Sequence, residues 1–266
     1  MKCRTLLATA LLSLLALPLP AALAASSDWT RTPGGDLRLV ALPPDRDGAV
    51  RAVLDIRLNA GWTTYWRDPG GAGVPPSLTV SGATLETIGF PVPKRLGTDD
   101  LHYAGYDAPV GLPLRLRTAT GPITAAVFLG VCKEICIPVQ TELTVDPGRE
   151  SSADPLEETI VAAAEAALPA AASAGLEPVS GRWSADGKTL FVRFRTPAGT
   201  PPPEVYVSGP ADVQFGLAEA MTRKGDGYLA EVPVLFRSKH ADLSRTPLLL
   251  ALRAGALTME APLPLE

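Results

Sequence analysis

The residues with the most chemical reach are two cysteines four positions apart, in the run Gly130-Val131-Cys132-Lys133-Glu134-Ile135-Cys136-Ile137-Pro138. If this stretch were extended, four steps would part the two alpha carbons by roughly 13 Å. A disulfide usually spans about 4.4 to 6.8 Å, so bonding the pair requires the chain to turn between them. Closing so short a loop restricts the unfolded chain little, about 2 kcal/mol by the chain-entropy argument. A staple gains more by joining distant segments, whereas a bond across a tight turn suits being made and broken. The residue types leave four readings open: a local structural disulfide, thiol-disulfide exchange, Cu(I) held by two thiolates, or nucleophilic catalysis with His102 as base. Lys133 favours a neighbouring thiolate and Glu134 opposes it, so the residue types do not say which thiol is the nucleophile. The metal reading has few further ligands available, since the chain carries only two histidines, His102 and His240.

The compartment follows from the first residues. Lys2 and Arg4 precede an apolar stretch from Leu6 to Leu17, and Ala22-Leu23-Ala24 forms a small-x-small cleavage site, so residues 1–25 read as a secretory signal. Cleavage near residue 24 or 25 would remove the third cysteine, Cys3, and leave the pair in an oxidising compartment where a disulfide is the default. The signal is too short for a bilayer's roughly 30 Å core, and Glu165 and Pro169 interrupt the alanine-rich stretch 160–175. The mature chain is therefore expected not to span a membrane. The net charge of −4, from 24 basic and 28 acidic residues with no basic block, gives no electrostatic footprint for nucleic acid.

Short strands must position the pair. With 24 Gly and 27 Pro the chain is rich in turn residues, and its apolar residues alternate with a period of two. Val50, Ala52, Leu54, Ile56 and Leu58 share one parity, as do Leu112, Leu114 and Leu116, while residues 125–131 and 139–145 flank the cysteines as apolar runs. These predict an antiparallel sandwich over residues 26–147. A helical linker follows over 148–178, with Asp154 as cap, Pro155 at the first position and Leu156, Ile160, Val161 and Ala164 as its apolar stripe. Strands resume in a second sandwich over 179–266, for example Leu190, Val192 and Phe194. The expected fold class is all-β, two immunoglobulin-like sandwiches joined by a short helix.

Three segments in order carry a family resemblance: Trp62-Thr63-Thr64-Tyr65-Trp66-Arg67-Asp68-Pro69-Gly70-Gly71 with Gly73, Pro75 and Pro76; His102-Tyr103-Ala104-Gly105-Tyr106; and the cysteine segment from Val131 to Pro138. Together they resemble the amino-terminal periplasmic domain of the DsbD disulfide reductases, and most of all its ScsB-like branch associated with copper tolerance. The resemblance covers roughly residues 28–147. It implies an immunoglobulin-like sandwich, a periplasmic location and a redox-active Cys132–Cys136 pair that transfers electrons without a cofactor. It also implies two kinds of partner, a membrane-embedded thiol reductase and periplasmic thioredoxin-fold proteins. The loop around Asp99 to Tyr106 would cap the pair. Tyr65, Trp66, Tyr103 and Tyr106 would wall it, with Asp68, Asp99 or Asp100 as proton acceptors. The membrane and thioredoxin-like parts of the complete reductases have no counterpart in this chain, so turnover is expected to need a partner. Two other functions stand beside relay: a non-catalytic binding module with an inert disulfide, and Cu(I) buffering.

Overall fold

Between Ala49 and Leu58 the alternation seen in the sequence becomes a ten-residue strand, with Val50, Ala52, Leu54 and Ile56 buried along one face. The computed structural model describes residues 25–98, 101–118, 121–148, 154–242 and 246–266. Residues 1–24, nearly all of the expected export signal, and Asp99 and Asp100 lie outside the described residues.

Among the described residues, the amino-terminal sandwich contains β1 (Thr30–Thr32), β2 (Gly35–Ala41), β3 (Ala49–Leu58), β4 (Thr63–Tyr65), β5 (Ser77–Ser81), β6 (Ala83–Ile88), β7 (Lys94–Thr98), β8 (Leu101–Tyr106), β9 (Val110–Thr118), β10 (Ile123–Cys132) and β11 (Cys136–Val145). One sheet runs in the order β1-β2-β3-β9-β6. The other runs β11-β10-β4-β8-β7, with β5 also paired to β10. Leu37, Leu39, Leu54, Leu112 and Leu116 from the first sheet meet Ile123, Val127, Leu129 and Val131 from the second in a shared core, as expected when two half-apolar sheets bury their faces against each other.

Helix α1 (Pro155–Ala166) starts where the sequence places it. Asp154 caps it, its carboxylate accepting the Leu156 backbone N–H at 2.7 Å, and Glu157 and Glu158 follow in the acidic first turn. Val161 and Ala164 pack with Ile160 onto Val40, Leu42 and Val53, the outward-facing side of the first sheet. The forked ion pair of Arg51 with Glu165 ties the helix to β3. Leu156 departs from the expected stripe. It is 66% exposed, because the capped first turn stands in water while the apolar contact begins one turn later. The helix lies on the first sandwich instead of bridging freely between two bodies.

The second sandwich pairs a sheet of order β12-β13-β17-β15 with one of order β14-β18-β19. Its strands are β12 (Glu177–Trp183), β13 (Thr189–Arg195), β14 (Glu204–Ser208), β15 (Val213–Phe215), β16 (Ala220–Lys224, paired to β17), β17 (Gly227–Arg237), β18 (Leu249–Ala254) and β19 (Leu257–Pro262). Leu190, Val192, Phe194, Phe215, Leu250 and Met259 fill its own core. The two sandwiches also meet: Tyr206 and Ala251 are buried against the first core, and the Tyr206 ring packs edge-on to Trp66 at 5.8 Å. The fold class read from the sequence is the one observed.

Truncating Leu54, buried between the sheets, leaves a cavity and is expected to cost about 2–5 kcal/mol. Leu156→Ala should stay within about 0.5 kcal/mol of wild type. Urea unfolding of the oxidised protein measures both.

Candidate redox site

Strands β10 and β11 form a hairpin in continuous register from Ile123↔Val145 to Cys132↔Cys136, so the two cysteines are its last directly opposed residues. Opposed residues in an antiparallel ladder stand roughly 4.5–5.5 Å apart. Register alone therefore brings the thiols within bonding reach, and here the alpha carbons are 4.1 Å apart across a Cys132–Cys136 disulfide. Lys133, Glu134 and Ile135 make the tip, where the Lys133 N–H donates to the Ile135 carbonyl at 3.1 Å. The chain does turn between the cysteines, but the strands run right up to both of them. β11 is an edge strand, which accommodates Pro138 opposite Gly130. The cysteines differ in access: Cys132 is buried at 4% exposure, whereas Cys136 and the whole tip are exposed.

Strand β4 brings the aromatic partner. It lies between β10 and β8, with Thr63 opposite Cys132 and Tyr65 opposite Gly105. The Tyr65 hydroxyl stands 3.0 Å from Cys132 Sγ and 3.0 Å from Cys136 Sγ. A bonded sulfur carries no proton, so the phenol is the donor. Two glycines admit the ring. A Cβ at Gly130 would stand 3.0 Å from it, and one at Gly73 only 2.4 Å; Gly73 also has φ of +124°, outside the comfortable range of other residues. Burial, and next the neighbouring Tyr103, push the Tyr65 phenol above its usual value of 10. It therefore keeps its proton at neutral pH and remains a hydrogen-bond donor.

A second layer holds this one. The Tyr103 ring meets Tyr65 edge-on at 5.1 Å, and its hydroxyl is 2.8 Å from Thr63 Oγ1. Thr63 Oγ1 donates to the Cys132 carbonyl at 3.3 Å, and the buried Thr64 donates to the Gly130 carbonyl at 2.8 Å. Thr63, Thr64 and Gly130 were not singled out from sequence. The alternation of β4 is the signal that would have placed the two threonines, since it puts Thr63 on the face of Tyr65 and Thr64 on the other.

The other expected wall residues lie elsewhere. Trp66, 1% exposed, points to Tyr206 of the second sandwich, with the Arg67 guanidinium 4.8 Å from its ring centre. Tyr106 is in the first core and donates to the Pro91 carbonyl at 2.8 Å. His102 is on β8 opposite Gly97. The described part of the expected cap loop is strand β8, hairpin-paired with β7, and it contributes Tyr103. Asp68 is half-buried beside the second sandwich. Burial raises its carboxyl to about 7, against the pull of hydrogen bonds from the Gly70 and Phe215 backbone N–H groups and of the charge on Arg67. Among the described residues, no group of three or more His, Cys, Asp or Glu side chains is placed to hold a metal ion.

Residues 38–147 match the family described as thiol:disulfide interchange protein DsbD, N-terminal. The DsbD match spans β3 to β11 whole, and so includes Tyr65 and both cysteines. Residues 167–266 match a domain of unknown function, DUF8393. Among solved structures, the crystal structure of the N-terminal periplasmic domain of ScsB from Proteus mirabilis superposes with a TM-score of 0.74 at 22% identity, covering 91% of this chain and 99% of that one. The likeness is one of fold and extends over both sandwiches. No curated protein matches the chain. Among the described residues, no helix is long and apolar enough to cross a membrane.

Two outcomes follow from this geometry. Gly73→Ala forces a side chain into the Tyr65 ring at a positive φ and should destabilise by about 1–3 kcal/mol, more than Gly48→Ala, whose positive φ faces open space. Urea unfolding of both variants decides. Asp68 binds its proton more tightly folded (about 7) than its ordinary 3.8, so the folded state holds the extra proton between those values. Stability contributed by this group is full below about pH 4 and falls as pH rises toward 7. Asp68→Asn should flatten that decline in thermal melts taken from pH 4 to pH 8.

Proposed function

We propose that this protein is a periplasmic thiol-disulfide interchange protein that relays reducing equivalents through the Cys132–Cys136 pair. The membrane-embedded reductase and periplasmic thioredoxin-fold proteins implied by the family resemblance are its partners. The observation that carries the reading is a hairpin-tip disulfide with one exposed and one buried cysteine, whose sulfurs share a single phenol donor.

The difference in exposure between the two cysteines supports the following order of steps. A partner thiolate attacks Sγ of the exposed Cys136, the Cys132–Cys136 bond breaks, and Cys132 leaves as a thiolate. The Tyr65 hydroxyl, already 3.0 Å from that sulfur, donates to the developing charge. Leaving-group stabilisation speeds exchange, and a hydrogen bond to a charged group contributes about 1.5–3 kcal/mol. The partner's second thiolate then attacks the mixed disulfide and releases Cys136. The partner ends as the disulfide and this protein as the dithiol, two electrons richer, with both thiols taking protons from solvent as pH dictates. Reversing the steps passes the pair of electrons to the next acceptor.

The deciding measurement is the reduction potential together with the exchange rate against a thioredoxin-fold dithiol. The relay reading expects a potential above about −300 mV and rapid exchange. A lower potential with exchange no faster than that of an inert staple overturns it. Removing Cys132 leaves Cys136 free, so Cys132→Ala should trap mixed disulfides in periplasmic extracts, whereas Cys136→Ala should trap few. Tyr65→Phe should slow reduction by about tenfold, the equivalent of about 1.4 kcal/mol.

A further inference from the structure

The Tyr65 ring is held on one side by a loop with no regular structure, residues 66–76. This loop contains Gly70 and Gly73, both at positive φ, so its own preferences place it weakly and its anchors must do so. Two anchors belong to the first sandwich: the Trp66 N–H donates to the Ala104 carbonyl at 3.1 Å, and the Ala104 N–H donates to the Pro69 carbonyl at 2.9 Å. The second sandwich adds further contacts to the same stretch. Gln214 Nε2, on β15, donates to the Gly70 carbonyl at 2.8 Å. The Phe215 backbone N–H donates to the Asp68 carboxylate. Arg67 forms an ion pair with Glu260 of β19. A Cβ at Gly71 would stand 3.4 Å from Leu235 on β17. Two residues further on, Gly73 packs directly on the Tyr65 ring.

We propose that the second sandwich is a brace for the redox site: through Gln214, and secondarily Glu260, it fixes the loop from Arg67 to Gly73 and so sets the Tyr65 hydroxyl against the two sulfurs. Gln214 is a positioning residue and touches neither cysteine. The chemistry it serves is the exchange proposed above, on which this inference rests. Its consequence is that side chains of the carboxy-terminal sandwich tune the thiol chemistry of the amino-terminal one. Without the Gln214 bond the loop keeps the Pro69 anchor but gains slack where it meets the ring. The phenol then spends less of its time in reach of a thiolate, and the oxidised form is favoured over the dithiol.

The test uses the full chain and a small-molecule redox buffer, in which reduced dithiothreitol and the protein disulfide exchange for oxidised dithiothreitol and the protein dithiol. Gln214→Met keeps length and packing while removing the donor. It should move this equilibrium about threefold toward the disulfide and raise the thiolate pKa read from absorbance at 240 nm. Tyr65→Phe should move both readings the same way and further. The deciding arm is the double variant. If Gln214 acts through Tyr65, Gln214→Met adds nothing in the Tyr65→Phe background. An unchanged equilibrium in Gln214→Met, or an equal shift in both backgrounds, overturns the brace. Glu260→Gln provides an independent entry with the same logic should Gln214→Met fold poorly, which thermal melts of the oxidised forms would reveal. Dithiothreitol needs no protein partner. A protein that fails to exchange with thioredoxin-fold partners yet shows the non-additive shift loses the relay and keeps the brace.

Discussion

The placement of one phenol governs the geometry around the cysteines. For the Tyr65 hydroxyl to stand 3.0 Å from both sulfurs, its ring must pass between backbone segments with no side chain in the way. Gly130 clears the path on the hairpin and Gly73 on the loop. The same requirement fixes β4 as the neighbour of β10, since only an adjacent strand delivers a tyrosine to the hairpin tip. It also makes Thr63 and Thr64 useful, because their hydroxyls tie β4 to the carbonyls of Cys132 and Gly130. Ring and sulfurs thus belong to one hydrogen-bonded unit at the end of a sheet.

That unit sits at a boundary between burial and water. Cys132 ends a run that is buried against the opposite sheet, while the chain past Lys133 projects into solvent. A disulfide in this position presents one accessible residue and one protected one, an asymmetry that gives direction to the proposed exchange. Tyr65, its proton held by burial, is a neutral donor to whichever sulfur becomes anionic. A short loop contributes little as a staple, so the surroundings matter more to this bond than the stability it adds.

The two sandwiches divide the chemistry unequally. Both cysteines and their immediate partners belong to the first, within the DsbD-matching segment. The second contributes no residue within hydrogen-bond reach of the sulfurs in the described contacts, yet it meets the first along Trp66, Arg67, Asp68 and Gly70. Successive residues of this stretch face opposite ways, Tyr65 toward the disulfide and Trp66 toward Tyr206. The segment that builds the site therefore also forms part of the interface, and this is the physical basis for coupling between them.

Much of this was legible in the residues themselves. Period-two alternation specified the strands around Leu54 and Leu114, because a half-buried strand must alternate, and a continuous apolar run specified the one around Val127. Asp154-Pro155 marked the helix start, and bonding two cysteines only four positions apart, Cys132 and Cys136, demanded a turn. Three statements needed the tertiary structure. Trp66 and Tyr106 read as members of an aromatic wall, but Trp66, just past the end of β4, packs on Tyr206 of the second sandwich, and Tyr106 lies in the core. Leu156 fits a helical stripe by spacing, yet helix α1 meets the sheet only one turn later. The link from Gln214 to Gly70 spans a sequence separation of 144, and no local pattern encodes a contact made only when two separate cores dock. The sequence by itself determined which segments form strands and helix and where the thiols lie along the chain. The docking of sheets and sandwiches decided which side chains reach them, because reach depends on three-dimensional packing that period and spacing do not contain.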